Sequence, residues 1–447
     1  MLKINTYLIS ISTILIILIL PCNAKETKIK INRTQEMPHS INPHPAIEDI
    51  KRFTTAISQI KSFYVEDIED TKLFDDAIRG MLKGLDPHSG YLSEEEYNDL
   101  KTVTKGSFGG LGIEITSEDN YIKVIAPIDD TPAKKAGIKA GDFIIKLDDT
   151  SVHGMSLKEA VKRMKGKKGT SITLTILRKN TAQPLVFKIT RDIIKIQSVR
   201  SELFDDKYGY IRISHFQENT ARDFIKEINK LNKKSNGVIS GLILDLRNNP
   251  GGLLDAAISI SDALIHNDQK GEEEKIVYTK GRLPGTNFTA IATPGDILKG
   301  EPIVVLINAG SASGSEIVAG ALKDNARALI VGTQSFGKGS VQTVIPLDTK
   351  RGIKLTTSLY YTPKGTSIQA KGLQPDIIIE EKEFVNKTDT PKIAFNEANL
   401  DGHIKTQQQK INDKEPNIKS KYLDGDYQLN EALNMLKAMK IAANNIK

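Results

Sequence analysis

Apolar residues recur at two different spacings along the chain, and the change of spacing divides it into regions. Between residues 46 and 102 they recur every three or four positions, which predicts amphipathic helices with Ile50, Phe53 and Ile57 on one face. A further helix is predicted to begin at Ser93, because Glu96 follows it at the spacing of a capping box. From residue 103 to 182, short alternating stretches separated by glycines predict a compact β-rich module.

Between residues 183 and 381, short apolar stretches alternate with helical patterns. The stretches at 238–246, 303–307 and 328–331 are almost wholly apolar, which is typical of strands buried on both faces of a sheet. Helical patterns lie between or after them, so this region is predicted to be an α/β core. Residues 382–447 form a charged C-terminal tail, with a helical pattern only at its end.

The composition excludes several classes of function. The 447 residues carry 62 Lys+Arg against 55 Asp+Glu, a net charge of +7, with no basic run interleaved with aromatic residues. We therefore expect no nucleic-acid partner. Cys22 is the only cysteine, which excludes disulfides and cysteine-ligated metal sites. No pair of histidines has the spacing of a helical zinc site, so we expect neither a metal nor a cofactor.

The N-terminus has the pattern of a secretory signal. Lys3 precedes an apolar stretch from Tyr7 to Leu20, and Cys22 and Ala24 supply small residues for cleavage. Residues 1–24 are therefore predicted to be a signal peptide, followed by a flexible linker at 25–45. The predicted location is the periplasm, and an uncleaved signal would leave the protein associated with the inner membrane.

Three loops at the ends of predicted strands carry candidate chemistry. The apolar run at 303–307 leads into a serine-rich segment at 308–316, where a helix opens. Free N–H groups at such a turn stabilise an oxyanion beside a nucleophile, although a serine-rich helix cap without chemistry has the same pattern. A lysine flanked by two glycines lies in the loop 332–339, and a third loop spans 245–252. Loops at the carboxyl ends of strands converge in open α/β sheets.

Five segments resemble one known family when they are taken in order. They are Gly-Leu-Asp-Pro-His-Ser at 84–89, Gly-Leu-Gly-Ile at 110–113, Asp-Leu-Arg-Asn-Asn-Pro-Gly-Gly at 245–252, Gly-Ser-Ala-Ser-Gly-Ser-Glu-Ile at 310–317 and Phe-Gly-Lys-Gly-Ser-Val-Gln at 336–342. The chain resembles the carboxy-terminal processing peptidases, or tail-specific proteases. The resemblance implies a multidomain α/β protein: a crotonase-like α/β protease core at 183–381, an inserted PDZ domain at 103–182 and a helical N-terminal region at 46–102.

The resemblance also assigns roles to individual residues. It implies that Ser313 is the nucleophile, that Lys338 is the general base and that Gln342 orients the lysine. Asp324 matches an auxiliary acidic position seen in some members. An unperturbed lysine has a pKa of about 10.4, so catalysis at neutral pH needs burial to lower the pKa of Lys338.

Backbone groups complete the implied site. The N–H of Gly314, together with that of Gly251 or Gly252, would form the oxyanion hole. Gly314 stands where the family usually has alanine, which leaves the N–H in place.

The predicted PDZ domain supplies a site for peptide C-termini. Leu111, Gly112 and Ile113 would present their N–H groups to a terminal carboxylate, while the peptide adds a strand to the sheet. Lys165 lies where many members carry an arginine that couples peptide binding to activation. Lysine cannot reproduce a bidentate guanidinium contact, so Lys165 is either a weaker coupling residue or a solvated charge at a helix end.

The resulting hypothesis is an exported serine endopeptidase that binds the C-terminal tails of its protein substrates and cleaves them through an acyl-enzyme. A catalytically silent PDZ scaffold that binds protein C-termini is the main alternative. A crotonase-like enzyme acting on acyl-CoA is a third, which the export signal disfavours. Homo-oligomerisation stays open.

Overall fold

The computed structural model describes residues 30–33, 47–128, 130–179, 181, 183–267, 273–283, 285–382 and 425–446. The predicted signal peptide and most of the predicted linker lie outside these residues. Within the linker, Lys30–Arg33 (β1) pairs antiparallel with Phe288–Ile291, so this part is a strand rather than a flexible connection. The edge of a sheet offers unpaired backbone groups, and a short neighbouring segment satisfies them. Among the described helices, none has both the length and the apolar character needed to cross a membrane.

The N-terminal region is helical, as predicted. It consists of α1 (Ile47–Phe63), α2 (Asp70–Lys83), β2 (Gly90–Leu92) and α3 (Glu94–Lys105). The capping box at the start of α3 is confirmed: the Glu96 N–H donates to Ser93 Oγ, and the Ser93 N–H donates to the Glu96 carboxylate. No residue of α1 is buried within the described part of the chain, and Ile50 and Phe53 of its predicted apolar face are exposed.

The β-rich module consists of β3 (Ser107–Gly110), β4 (Ile113–Glu118), β5 (Tyr121–Pro127), α4 (Pro132–Ala136), β6 (Phe143–Leu147), β7 (Thr150–Ser151), α5 (Leu157–Met164), β8 (Ser171–Leu177), β9 (Leu185–Thr190) and β10 (Asp192–Lys195). Its main sheet has the order β4-β5-β6-β8-β9, and β7 pairs with β6. The strand β9 lies beyond residue 182, where the sequence analysis placed the start of the core. Because β4 is the last strand on its side, its outer edge is unpaired in this sheet.

The core is built from β11 (Val199–Phe204), β12 (Tyr208–Ile213), α6 (Thr220–Lys234), β13 (Leu242–Asp245), α7 (Leu254–Leu264), β16 (Ile303–Ile307), α8 (Gly314–Asp324), β17 (Leu329–Gly332), β20 (Ile377–Ile378) and α9 (Tyr427–Ile446). Its sheet has the order β11-β12-β13-β16-β17-β20, and the strands run parallel from β12 onward.

Helices cover both faces of this sheet. Val305 and Ile307 of β16 pack with α6, α7 and α8, whereas the alternate residues Val304 and Leu306 pack against α9. The strands of this sheet are almost wholly apolar in sequence because both faces of the sheet are buried. The predicted charged tail thus ends in a helix that forms one layer of the core.

A second sheet lies beside the core and contains β14 (Lys275–Gly281), β15 (Phe288–Ile291), β18 (Ser340–Pro346) and β19 (Gly352–Tyr361). Its order is β1-β15-β14-β19-β18, with β2 paired to β19. The β2–β19 pairing joins Gly90 to Lys354, and so attaches the N-terminal region directly to this sheet.

Candidate active site

Three loops leave the same edge of the core sheet. The strands β13, β16 and β17 run parallel and in register, with Asp245 opposite Leu306 and Ile307 opposite Gly332. The loops that follow them, 246–252, 308–313 and 333–339, are the three that the sequence analysis singled out. Convergence at a shared carboxyl edge is therefore confirmed.

Ser313 caps the N-terminus of α8 in a strained conformation. Its φ is +53° and its ψ is −111°, a region that non-glycine residues rarely adopt and that costs about 1–3 kcal/mol. The preceding turn is held by Ser311, whose hydroxyl donates to the carbonyl of Leu246 in the adjacent loop. A strand-to-helix turn held in this way presents the side chain of Ser313 at the surface of the convergent loops.

Lys338 lies half-buried between two glycines that the backbone requires. A Cβ on Gly337 would lie 2.9 Å from the nitrogen of Gly372, and one on Gly339 would lie 2.7 Å from the nitrogen of Gln369. The segment 369–372 therefore packs closely against the backbone on both sides of the lysine. Burial, and then the charge of Lys354, lowers the pKa of Lys338, against the opposing effect of nearby carboxylates.

Glu316 connects the Ser313 helix to the Lys338 loop. One oxygen, Oε2, accepts the backbone N–H of Ser313 at 2.9 Å and that of Lys338 at 3.0 Å. The other, Oε1, accepts the Ser335 hydroxyl at 2.5 Å and the Gly337 N–H at 2.7 Å. Glu316 is only 1% exposed, so these bonds replace its water entirely. The sequence pattern does not by itself predict a role for Glu316, although it is the one charged residue among the small and apolar residues of 310–320.

Tyr360 makes a second connection between the same two segments. Its hydroxyl lies 3.2 Å from the carbonyl oxygen of Ser313 and also contacts the carbonyl oxygen of Lys338. The single proton of the hydroxyl is shared between these two acceptors. Burial, with the carboxylate of Glu316 nearby, raises the pKa of Tyr360, so the hydroxyl keeps its proton. Two buried side chains thus fix the backbones of Ser313 and Lys338 relative to each other.

The loop 245–252 lies directly against Ser313. A Cβ on Gly251 would lie 2.7 Å from the Cβ of Ser313 and 2.9 Å from the nitrogen of Gly314. The Gly251 N–H itself donates to the side chain of Asn249. Among the described residues the N–H groups of Gly252 and Gly314 have no such acceptor. Gly252 therefore has a free N–H to donate, whereas the N–H of Gly251 already has an acceptor.

A buried charge network supports that loop from below. The carboxylate of Asp245 accepts bonds from the Tyr210 hydroxyl and from the Arg247 guanidinium, and Arg247 in turn pairs with Asp426 at 2.7 Å. Arg247 also donates to Gln428 at the start of α9. Despite burial, the bonds and charges of the arginines keep the pKa of Asp245 low. The last helix of the chain therefore anchors the loop.

The remaining predicted residues lie in different places. Gln342 is in β18, where its amide nitrogen donates to the hydroxyls of Ser340 and Thr356. Asp324 is not in the site, contrary to expectation: it ends the 11-residue helix α8 that Ser313 caps, about 16 Å away at ~1.5 Å per residue. Its carboxylate instead accepts the N–H of Lys364.

The predicted peptide-binding residues lie at the open edge of the β-rich module. Leu111 and Gly112 precede the edge strand β4, which begins at Ile113, and in the described part of the chain the N–H groups of Leu111 and Gly112 donate to no acceptor. Lys165 follows α5 and pairs with Asp99 of α3 at 3.4 Å, with its side chain 38% exposed. It thus faces the N-terminal region rather than solvent alone.

Three family models match successive parts of the chain. The family model for peptidase family S41 matches residues 207–379, that for the PDZ domain matches 109–189, and that for the N-terminal domain of the activating protease CtpB matches 16–96. A solved photosystem II D1 C-terminal processing protease is 30% identical and covers 73% of this chain and 86% of its own, with a TM-score of 0.42.

Curated relatives extend over most of the chain. The carboxy-terminal-processing protease of Bartonella bacilliformis is 49% identical over 369 residues, 82% of this chain and 83% of that protein. The carboxy-terminal processing protease CtpA of Bacillus subtilis is 36% identical over 341 residues, 74% of this chain and 69% of that protein. This chain belongs to the carboxy-terminal processing proteases, serine peptidases of family S41 that carry a PDZ domain.

Proposed function

We propose that this protein is an exported endopeptidase in which Ser313 and Lys338 form a catalytic dyad and cleave substrates through an acyl-enzyme. The observation that carries the proposal is the joint fixing of the two residues: Glu316 Oε2 accepts both of their backbone N–H groups. A serine in a strained turn and a lysine with a lowered pKa are the pair that nucleophilic catalysis without histidine requires.

Lys338 moves the protons in this scheme. In its neutral form it takes the proton of Ser313 Oγ as that oxygen attacks the substrate carbonyl carbon. The ammonium then gives the proton to the departing amine as the peptide bond breaks, leaving an ester on Ser313. A water molecule, deprotonated by the same amine, hydrolyses the ester and restores both residues.

Two N–H groups are proposed to stabilise the negative charge that develops on the carbonyl oxygen of the substrate. Gly314 is the first residue of α8, where the helix dipole favours an anion, and Gly252 lies across from it in the adjacent loop. The close packing of Gly251 against Ser313 supports this arrangement, because it brings the two loops within contact distance.

Substrates are proposed to enter by their C-termini. A terminal carboxylate would bind the N–H groups of Leu111, Gly112 and Ile113, and the peptide would add as a strand to the open edge of β4. The pairing of Lys165 with Asp99 supports its role as a coupling residue between this site and α3. Export to the periplasm is part of the proposal, and a mature N-terminus at Lys25 in the isolated protein would support it.

Cleavage of a tail-bearing substrate tests the proposal. The purified protein is incubated with a loosely folded substrate ending in apolar residues, and with a matched substrate ending in aspartates. We expect cleavage of the first substrate to exceed that of the second, and Ser313→Ala to cleave neither. If wild type binds the apolar tail but its cleavage rate equals that of Ser313→Ala, the protein is the silent scaffold instead.

A further inference from the structure

The amide of Gln342 is oriented by residues outside the dyad. Gln342 in β18 lies opposite Thr356 in β19, immediately beside a bulge in the pairing of the two strands. Directly opposed residues of antiparallel strands project from the same face. The Gln342 nitrogen Nε2 donates to Thr356 Oγ1 at 3.3 Å and to Ser340 Oγ at 2.9 Å.

The Thr356 hydroxyl uses its one proton in a hydrogen bond to a carboxylate. Thr356 Oγ1 donates to Asp86 Oδ1 at 3.1 Å, and an ionised carboxylate can only accept. Burial opposes ionisation of Asp86, but bonds from Ser89, His88 and Thr356 outweigh it and lower the pKa. Thr356 is left with lone pairs to offer, so only the NH₂ end of the Gln342 amide can face it. The carbonyl end must then face away from Thr356.

Asp86 is itself held in place by the turn 84–89. Its carboxylate accepts the N–H groups of His88 and Ser89 and the hydroxyl of Ser89. Ser89 Oγ also accepts the backbone N–H of Thr356, which fixes the turn to β19. The charge of Asp86 raises the pKa of Lys338, and the charge of Lys338 lowers the pKa of His88, so this turn lies within electrostatic range of the base.

We propose that Asp86 and Thr356 are positioning residues of the protease, which hold the Gln342 amide with its carbonyl oxygen available to the Lys338 amine. The proposal rests on the proposed dyad, in which Gln342 orients the lysine. It makes the turn 84–89 of the N-terminal region a part of the catalytic apparatus.

Substitution at Thr356 separates this role from a structural one. Thr356→Val keeps the size, the β-branched shape and the backbone bond to Ser89, and removes only the hydroxyl. We expect kcat to fall about tenfold or more with KM within about twofold, since misorientation costs turnover rather than binding. Thr356→Ser restores the hydroxyl and should restore kcat. Thr357→Val is the matched control, because the Thr357 hydroxyl bonds to Thr343 on the strand pair and not to Gln342.

A double-mutant cycle with Gln342→Ala tests whether Thr356 acts through the amide. In the Gln342→Ala background, Thr356→Val should cost almost nothing, because the group that it orients is gone. An equal loss of kcat in both backgrounds would overturn the proposal, and so would an unchanged kcat in Thr356→Val.

The same measurements distinguish a failure of the proposed function. If wild type has no activity above Ser313→Ala, the dyad and the positioning role fall together. If wild type is active, and both Ser313→Ala and Gln342→Ala impair it, while Thr356→Val does not, only the positioning role falls.

Discussion

Replacing Glu316 by glutamine should disable the enzyme by releasing the two halves of its site from each other. The change keeps the shape of the side chain and removes its charge. Glu316 now accepts four hydrogen bonds on two oxygens, from Ser313, Lys338, Gly337 and Ser335. Glutamine has one carbonyl oxygen and places an NH₂ group where the second acceptor stood.

The cost follows from counting donors. In the better orientation of the glutamine amide, its NH₂ group faces Ser335 and Gly337. The Ser335 hydroxyl can turn to accept a bond from it, but the Gly337 N–H then has no acceptor. One orphaned buried N–H costs about 1–3 kcal/mol, and the other bonds lose the share that came from the charge. We expect a total loss of about 3–5 kcal/mol in the free energy of unfolding.

Activity must be measured against a control of similar instability. Leu322→Ala lies in the same helix, α8, is fully buried, and should cost about 2–5 kcal/mol without touching either dyad backbone. Chemical denaturation gives the stability of both variants, and kcat is measured well below both unfolding transitions.

We expect Leu322→Ala to keep most of its kcat per folded molecule, and Glu316→Gln to lose about 100-fold or more, as for a misplaced catalytic group. A Glu316→Gln enzyme that retains kcat would refute the view that this carboxylate positions the dyad. A loss of kcat that is equal in both variants would attribute the effect to instability alone.

Three further substitutions are predicted to change either the free energy of unfolding or kcat. Lys338→Met should raise the free energy of unfolding at pH 7, because the folded state disfavours the protonated lysine. This gain in stability should shrink as the pH rises towards 10.5, where the lysine loses its proton in the unfolded state as well. Denaturant titrations that give the same gain at every pH between about 7 and 10 would contradict this. Gly251→Ala should lower kcat by about 100-fold or more, because the new Cβ meets Ser313; an unchanged kcat would contradict the contact. Asp426→Ala should cost about 1–3 kcal/mol in denaturant unfolding by leaving Arg247 short of a partner, and full stability would show that the pair contributes nothing.

Local patterns predicted one strand to the residue. The strand Ile303–Ile307 has the predicted bounds. It is wholly apolar and lies between Pro302 and Asn308, so neighbouring residues determine where it ends. The capping box at Ser93 belongs to the same class of local signal.

Contacts between distant segments could not be predicted in this way. Glu316, Tyr360 and Thr356 act through bonds to residues that are far away in sequence, and a motif gives the order of residues but not their partners. Asp324 shows the opposite error: it follows Ser313 in the chain, but a straight helix carries it to the far end. The exposed face of α1 shows that an amphipathic pattern predicts a helix without saying what covers it.

Labelling of Ser313 by a fluorophosphonate tests the dyad most directly, since it needs no knowledge of the substrate. Mass spectrometry of the digested protein identifies the modified residue, and the rate is followed from pH 5 to pH 10. We predict a single label, on Ser313, whose rate rises with pH as the neutral form of Lys338 accumulates. Lys338→Met should lose both the labelling and its pH dependence. A label on another serine, or labelling of Lys338→Met at the wild-type rate, would contradict the Ser313–Lys338 dyad.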